Sequence, residues 1–390
     1  MRNRSRGMAL ITALWMLAIL LVLVAGMAAM VHSETQVARN FGGVTVARWA
    51  ACAGLHRAEV ALLALTEQPY TALMDDDATA GTRLFLTSDD EETDLGGATY
   101  EVTIEDEAGK LNLNTVPAEV LNVFFPLEAT DAILDWRDAD SLPGPQGAED
   151  DYYAGLSPPY RCKNGPFETL GEVRLVSGVT AELLTTPVTE DGQTLEALLT
   201  VYSTERNIAA DGRPRENLTT ASTSAILDAV GTDAELTDEQ VNAIVAQRAT
   251  FESPADLLGV PGLPRETVAR IYDRFTTSTA GTRAGLVNLN TAPIEVLLAL
   301  EGMDEATAAA IVTQREAEGP FETVGNLLDV TQVSDTLFRR IADAFTTRSR
   351  RFRVRATGKS TDGVTQMITA VLQVEEQGGE RVIRRLYWRE

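Results

Sequence analysis

The sequence predicts an α+β protein: an N-terminal transmembrane helix running into an antiparallel sheet domain, which is interrupted by a large all-α insertion. Three observations carry this expectation. Met8 to Val31 is a stretch of 24 residues without a charge, long enough at about 1.5 Å per residue to cross a hydrocarbon core of about 30 Å. Strand-like alternation stands at Tyr100, Val102 and Ile104 and returns only after Phe352. Between these two places one motif recurs three times among apolar segments with helical periodicity.

Composition narrows the function. The 390 residues leave room for two or three domains, and 33 Lys and Arg against 57 Asp and Glu give a net charge of −24. A protein that grips nucleic acid by its phosphates wants the opposite sign. Two His and two Cys leave little for imidazole catalysis and exclude a disulfide framework or a Cys/His zinc cluster.

Residues 1–7 carry Arg2, Arg4 and Arg6 and no acid, so this end should stay in the cytoplasm while the rest is exported. The apolar stretch exceeds the roughly 7–15 residues of a secretory signal peptide, which favours a membrane anchor. The basic leader ends in Gly7 immediately before Met8. This resembles the leader of type IV pilins and of the pseudopilins of type II secretion. The resemblance implies cutting after Gly7 by a prepilin peptidase and methylation of the new amine of Met8. Thr12 stands at the fifth mature position, where the family usually has Glu.

Beyond the membrane, Val46, Trp49, Ala53, Val60 and Leu63 recur at helical spacing, an amphipathic face expected to lie on the sheet. Gly42-Gly43 is expected to interrupt or bend this helix. Cys52 and His56 are four apart and able to touch; with no third group in sight they read as ordinary packing, and both cysteines are expected to be free thiols. At the far end, Phe352 and Val354 alternate with arginines, Gly358 to Gly363 reads as a turn, and Met367 to Val374 as a strand. Gly378-Gly379 then turns the chain into Val382 to Trp388. These strands need the N-terminal helix and first strand to bury their apolar face. The arginines at 339, 340, 348, 350, 351, 353 and 355 read as a solvated or internally paired face, because the acidic runs Asp75 to Asp77 and Asp89 to Asp94 belong to the same split domain.

The repeat is Asn112 to Pro117, Asn288 to Pro293, and a degenerate copy at Asn217 to Ser222. Each is expected to open a helix, with Asn or Thr capping free amides. An apolar pair ending in Arg137, Arg248 or Arg315 follows, then a Phe-Glu turn at Phe167, Phe251 and Phe321. Leu258-Gly259-Val260-Pro261-Gly262-Leu263 resembles a helix-hairpin-helix turn, a motif whose backbone amides can hold a DNA phosphate. Against that reading stand the acidic charge and Gln332 at the corresponding glycine position of the third unit.

From Asn112 to Phe167 is 55 positions, against 34 from Asn217 to Phe251 and 33 from Asn288 to Phe321. The first unit therefore holds an insertion between Arg137 and Gly165, containing Asp138, Asp140, Glu149, Asp150 and Asp151, with Asp135 one turn upstream. Carboxylates crowded into a Pro-, Gly- and Tyr-rich loop repel one another unless a cation lies between them. Hard oxygen ligands suit Ca²⁺. The twelve-residue EF-hand pattern is absent, and a merely solvated acidic loop remains open on these residues alone.

Ile133 to Asp140, Gly147 to Tyr153, Pro159-Tyr160 and Lys163 to Pro166, together with Asp106 to Asn114 and the terminal Trp388-Arg389-Glu390, resemble the signature of the K-type minor pseudopilins of the general secretory pathway. The K class lacks the fifth-position Glu, so Thr12 fits it. The resemblance implies a pilin-like domain interrupted by helix-hairpin-helix/SAM-like repeats. The expected segments are a cleaved leader at 1–7, a transmembrane helix at 8–31, and the first part of the pilin-like domain at 32–110. A helical insertion follows at 111–346, in units 111–205, 206–280 and 281–346 with an acidic loop at 138–163, and the C-terminal strands lie at 347–390. It further implies a non-enzymatic subunit at the tip of a periplasmic pseudopilus, anchored in the bacterial inner membrane. There it would start assembly with the I- and J-type minor pseudopilins, and with contacts to the H-type and major pseudopilins. Calcium would be bound by Asp138, Asp140, Glu149 and Asp150, with Asp135 and Asp151 as further candidates. Two other readings compete: a membrane-anchored periplasmic DNA-binding protein using the hairpin repeats, and a hydrolase using the acidic insertion, for which no nucleophile motif, phosphate loop or triad is present.

Overall fold

The computed structural model describes residues 4–65, 83–87, 95–189, 192–231 and 234–390. The acidic runs Asp75 to Asp77 and Asp89 to Asp94, and Asp233 in the second repeat, lie outside the described residues. Helix α1, Arg4–Leu65, is one unbroken rod of 62 residues, about 93 Å at 1.5 Å per residue. Its N-terminal part is apolar and exposed along Leu10 to Val24, and among the described residues it is the helix long and apolar enough to cross a membrane.

The helix is not interrupted at Gly42-Gly43. Gly43 instead marks a close approach, since a Cβ there would meet the Val364 side chain at 2.9 Å. The expected apolar face is also corrected. Trp49 and Val60 are 68% and 59% exposed, and Val46 points outward with them. The face on the sheet is made of Ala47, Ala50, Ala51, Leu55, Ala58 and Leu62. Backbone proximity explains the preference for small residues. A Cβ at Gly358 would lie 2.0 Å from the Ala47 carbonyl oxygen, and one at Gly54 would lie 2.8 Å from Val102. At such spacing small residues stand where the backbones meet, while Leu55 and Leu62 fill the core farther along α1.

The sheet runs in the order β1 (Arg83–Thr87), β2 (Thr99–Asp106), β3 (Arg351–Lys359), β4 (Thr365–Gln377), β5 (Glu380–Arg389), antiparallel throughout. Ile104 faces Val354, and Val354 faces Ala370, so the period-2 apolar residues line one surface under α1. The arginines that alternate with them occupy the outer surface. Strand β1, which sequence reading missed, is the edge beside β2.

The helical region separates β2 from β3 in sequence although the two strands pair. It consists of three units, each opened and closed by two-residue strands paired in parallel. These are Leu111–Asn112 with Leu199–Thr200, Glu216–Asn217 with Phe275–Thr276, and Val287–Asn288 with Phe345–Thr346. One continuous apolar core runs through all three.

The motif residues have roles different from the expected helix caps. Asn112, Asn217 and Asn288 accept from the backbone N–H two residues on, at 2.9, 2.9 and 3.0 Å, an Asx turn rather than a cap. The helices behind Pro117 and Pro293 start without a side-chain cap. In the second copy Ser222 replaces that Pro and does cap, accepting from Ala225 N–H. Asn114 clips the two ends of its unit together, donating to the Phe167 carbonyl at 3.0 Å and accepting from its N–H at 2.7 Å. Asn290 does the same to Phe321. Thr219 stands at this place in the second unit and bonds Asn217 instead. The shared arginines close the turns: Arg137 donates to the Val116 carbonyl, Arg248 to Ala221, and Arg315 to both Leu289 and Ala292.

Asp106 and Glu107 tie this region to the sheet. Buried Asp106 accepts from Asn288, Thr291, Ser349 and the Ala108 N–H. Glu107 pairs with Lys110 at 3.5 Å and Arg353 at 2.6 Å. Burial opposes its ionisation, but these two cations prevail and hold its pKa at about 2. The basic run is thus largely paired inside the protein: Arg348 caps the carbonyls of Ile208 and Ala209, Arg351 that of Tyr202, and Arg355 meets Glu105 at 2.6 Å.

Candidate metal centre

Helix α2, Ala118–Phe124, leads through Phe125 and Pro126 into α3, Leu127–Arg137. The buried face of α3 carries Ala129, Ala132, Ile133 and Trp136, which fixes the direction in which the chain leaves at Asp138. There the backbone becomes extended, and the acidic loop begins.

Two carboxylates stabilise the path of this loop. Buried Asp135 accepts from the Gly144 N–H at 3.0 and 3.1 Å, and Asp131 accepts from the Gln146 N–H at 3.0 Å. The chain wraps so closely that a Cβ at Gly147 would overlap the Asp135 carboxylate at 1.8 Å. Asp150 closes the loop by accepting from the Cys162 N–H at 2.8 Å. Asn164, in the left-handed region at φ 47°, reaches back to the Asp140 carbonyl and the Ser141 hydroxyl. Asp151 lies exposed on α4, Asp150–Ala154.

What remains is a cluster of three. Asp138, Asp140 and Glu149 each offer a carboxylate oxygen, and these oxygens lie within 4.8 Å of one another. Glu149 stands at the N-cap position of α4 yet does not cap it. It is buried, and neither of its carboxylate oxygens has a hydrogen-bond partner. The Cys162 thiol stands beside it, 3.8 and 4.0 Å from the carbonyls of Asp135 and Ala148. Burial raises the Glu149 carboxyl above its ordinary range, and the charges of Asp135, Asp138 and Asp140 add to the shift. Asp135 is raised too, chiefly by burial.

Two neighbouring cations are engaged elsewhere. Lys163 pairs with Glu172 at 2.7 Å, and Arg137 points into the Val116 turn. Behind the cluster stands an aromatic wall, Trp136 against Tyr153 at 5.3 Å and Tyr153 against Tyr160 at 5.2 Å. A buried, unpartnered carboxylate beside two others fits a hard divalent cation, which would supply the missing charge.

Of the six residues singled out from sequence, three converge, Asp135 and Asp150 hold the loop, and Asp151 stands apart. Sequence reasoning missed Asp131; its signal was the four-residue spacing to Asp135 on α3. Gly7 and Met8 lie in the first turns of α1. Cys52 and Cys162 are both free, and burial pushes the Cys162 thiol up to about 11. His56 bonds Glu59 at 2.9 Å.

The hairpin of the second unit lies beside the third unit through Gly259, while Gly262 is open. Arg265 donates to the Leu328 and Val333 carbonyls, a Cβ at Gly325 would lie 2.0 Å from the Ala269 carbonyl oxygen, and Gly259 backs onto Arg339.

Residues 125–186 match the family model described as type II secretion system protein K, and residues 283–346 match a helix-hairpin-helix motif. The chain is 31% identical over 211 residues to the type II secretion system protein K of Klebsiella pneumoniae, covering 47% of this chain and 61% of that protein. It is 31% identical over 204 residues to the type II secretion system protein K of Pseudomonas aeruginosa, covering 45% and 58%. The matches thus span about three fifths of these relatives, which are named as components of a secretion system. A chain of the solved GspK-GspI-GspJ complex from enterotoxigenic Escherichia coli is 15% identical with a TM-score of 0.48, covering 87% of this chain and 95% of that one.

Proposed function

We propose that this chain, which carries the protein K domain of type II secretion, works as the K-type minor pseudopilin at the tip of the pseudopilus. It would start assembly with I- and J-type minor pseudopilins, contact the H-type and major pseudopilins below, and so support export of folded proteins across the outer membrane. The observation that carries the reading is the location of the protein K match. It lies in a helical mass inserted between two paired strands of the sheet that α1 covers, tied down through Asp106 and Glu107. Such a mass obstructs a further subunit stacked above it while leaving α1 free to enter a fibre below.

In this reading a prepilin peptidase cuts after Gly7, the amine of Met8 is methylated, and α1 crosses the inner membrane once with the body in the periplasm. The role is structural and non-enzymatic, and all three helical units are helix-hairpin-helix/SAM-like modules. Calcium is held by Asp138, Asp140 and Glu149, with Asp150 as a further candidate ligand, while Asp135 anchors the loop. Its part is to neutralise the cluster and set the loop. The alternative of a periplasmic DNA-binding protein is disfavoured by the net charge of −24, by the packing of the hairpin Gly259 on Arg339 of the neighbouring unit, and by arginines spent on internal carbonyls and carboxylates.

The test is co-expression with the I- and J-type subunits of the same system. A stable ternary complex on size exclusion, lost when residues 111–346 are replaced by a short turn, is expected. A chain that never co-elutes with either partner contradicts the reading.

A further inference from the structure

A cleft of about 610 Å³ opens between the first helical unit and the outer face of the sheet. Its floor is cationic. Lys110 lies 2.8 Å from Glu105 and 3.5 Å from Glu107, while Arg353 and Arg355 reach the same two carboxylates at 2.6 Å. Two anions thus answer three cations. At the rim Arg174 pairs with Glu196, and Arg389 has no ion-pair partner among the described residues. The cleft is therefore a basic island on a protein whose net charge is −24, where low-dielectric walls focus the field.

Two further features bear on the occupant. The rings of Tyr202 and Tyr387 stand 6.5 Å apart in the cleft, and tyrosine beside arginine is the composition of the centre of protein interfaces. Tyr387 and Arg389 belong to β5, the last strand in the sheet order, with no neighbour on its outer side among the described residues. An open strand edge next to a cationic cleft suits an extended chain whose alternate side chains turn inward. The volume is also far larger than one inorganic anion fills.

We propose that this cleft is the docking site for an extended acidic segment of a partner protein, with its carboxylates on Arg389 and Arg174 and its backbone along β5. This inference stands apart from the identity of the secretion partners, and it survives if the tip assignment fails.

The test uses the full chain in detergent and fluorescence anisotropy of a labelled peptide alternating aspartate and valine, with a lysine–valine peptide as control, at about 0.1 M salt. The acidic peptide is expected to bind and the basic one not. Arg389→Glu and Arg174→Glu should each weaken binding about tenfold or more, with unchanged circular dichroism. Arg213→Glu, at a side chain 66% exposed and paired with Asp211, should change it less than about twofold. Absence of acidic-peptide binding, or an equal loss in Arg213→Glu, overturns the proposal. Neutralising Asp89, Asp90, Glu91, Glu92 and Asp94 to their amides tests self-occupancy. Peptide binding tightened about tenfold by that change would make the chain's own segment the occupant and overturn the partner reading.

Discussion

Replacing Glu149 by Gln removes one negative charge where three carboxylates crowd, and keeps the shape of the side chain. With oxygens within 4.8 Å of one another, each carboxylate pair repels by about 3 kcal/mol at an effective dielectric of about 20. Asp140 is exposed and Asp138 half-buried, so solvent screening cuts the total felt by Glu149 to about 1–2 kcal/mol. The metal-free Glu149→Gln protein should therefore be more stable than its parent by about 1 kcal/mol, a rise in Tm of about 2–4 °C. Calcium at a hundred times its Kd stabilises the parent by about 2.7 kcal/mol; a hundredfold loss of affinity leaves about 0.4 kcal/mol. The assay is thermal unfolding of both proteins in chelator and in saturating calcium. The two curves should cross: the variant melts higher in chelator and lower in calcium. A variant that melts lower in chelator and retains its full calcium shift would refute the reasoning, because Glu149 would then be neither repelled nor a ligand.

Three further outcomes follow from the same geometry. Glu149 and Asp135 have folded-state pKa values above their unfolded values, so metal-free stability should rise as pH falls through those raised values, whereas calcium-loaded stability should fall as protons displace the ion. Buried Glu205, pushed up to about 8, contributes equally in both conditions, so the difference between the two Tm-versus-pH curves between pH 8 and 5 isolates the cluster and should shrink toward zero. Arg315→Met strips the buried Leu289 and Ala292 carbonyls of their donor and should cost about 2–4 kcal/mol in urea unfolding. Gly358→Ala forces α1 off the sheet and should cost about 3 kcal/mol, detected as rapid proteolysis, while Trp49→Ala, at an exposed site, should change the isolated subunit by under about 0.5 kcal/mol.

The sheet was legible because a strand buried on one side alternates, and Tyr100, Val102 and Ile104 find Gly358, Ala356 and Val354 of β3 through that alternation. The inner face of α1 was not. Hydropathy follows large side chains, and Trp49 and Val60 carried the signal, whereas the real contact sets Leu55 and Leu62 among alanines and Gly54, whose merit is small size at a backbone approach. Gly42-Gly43 misled for the same reason, since the helix runs on through both and Gly43 serves proximity to Val364. In the repeats, spacing exposed the insertion and its acids. Chain composition does not encode that Asp135 and Asp150 spend themselves on backbone amides while Asp138, Asp140 and Glu149 face one point, because the path of the loop decides it. The Asn and Arg of each motif were visible as a pattern, but their bonds to Phe167, Phe321 and the turn carbonyls span 21 to 53 positions.

The measurement that bears most directly on the central claim is the N-terminus of the chain expressed with and without a prepilin peptidase. Intact mass and terminal sequencing should give a chain beginning at methylated Met8 only when the peptidase is present, with the leader through Gly7 removed. An unchanged Met1 in both conditions, or a cut beyond Val31, would contradict the account, leaving α1 an ordinary anchor or signal segment and the body without a route into a pseudopilus.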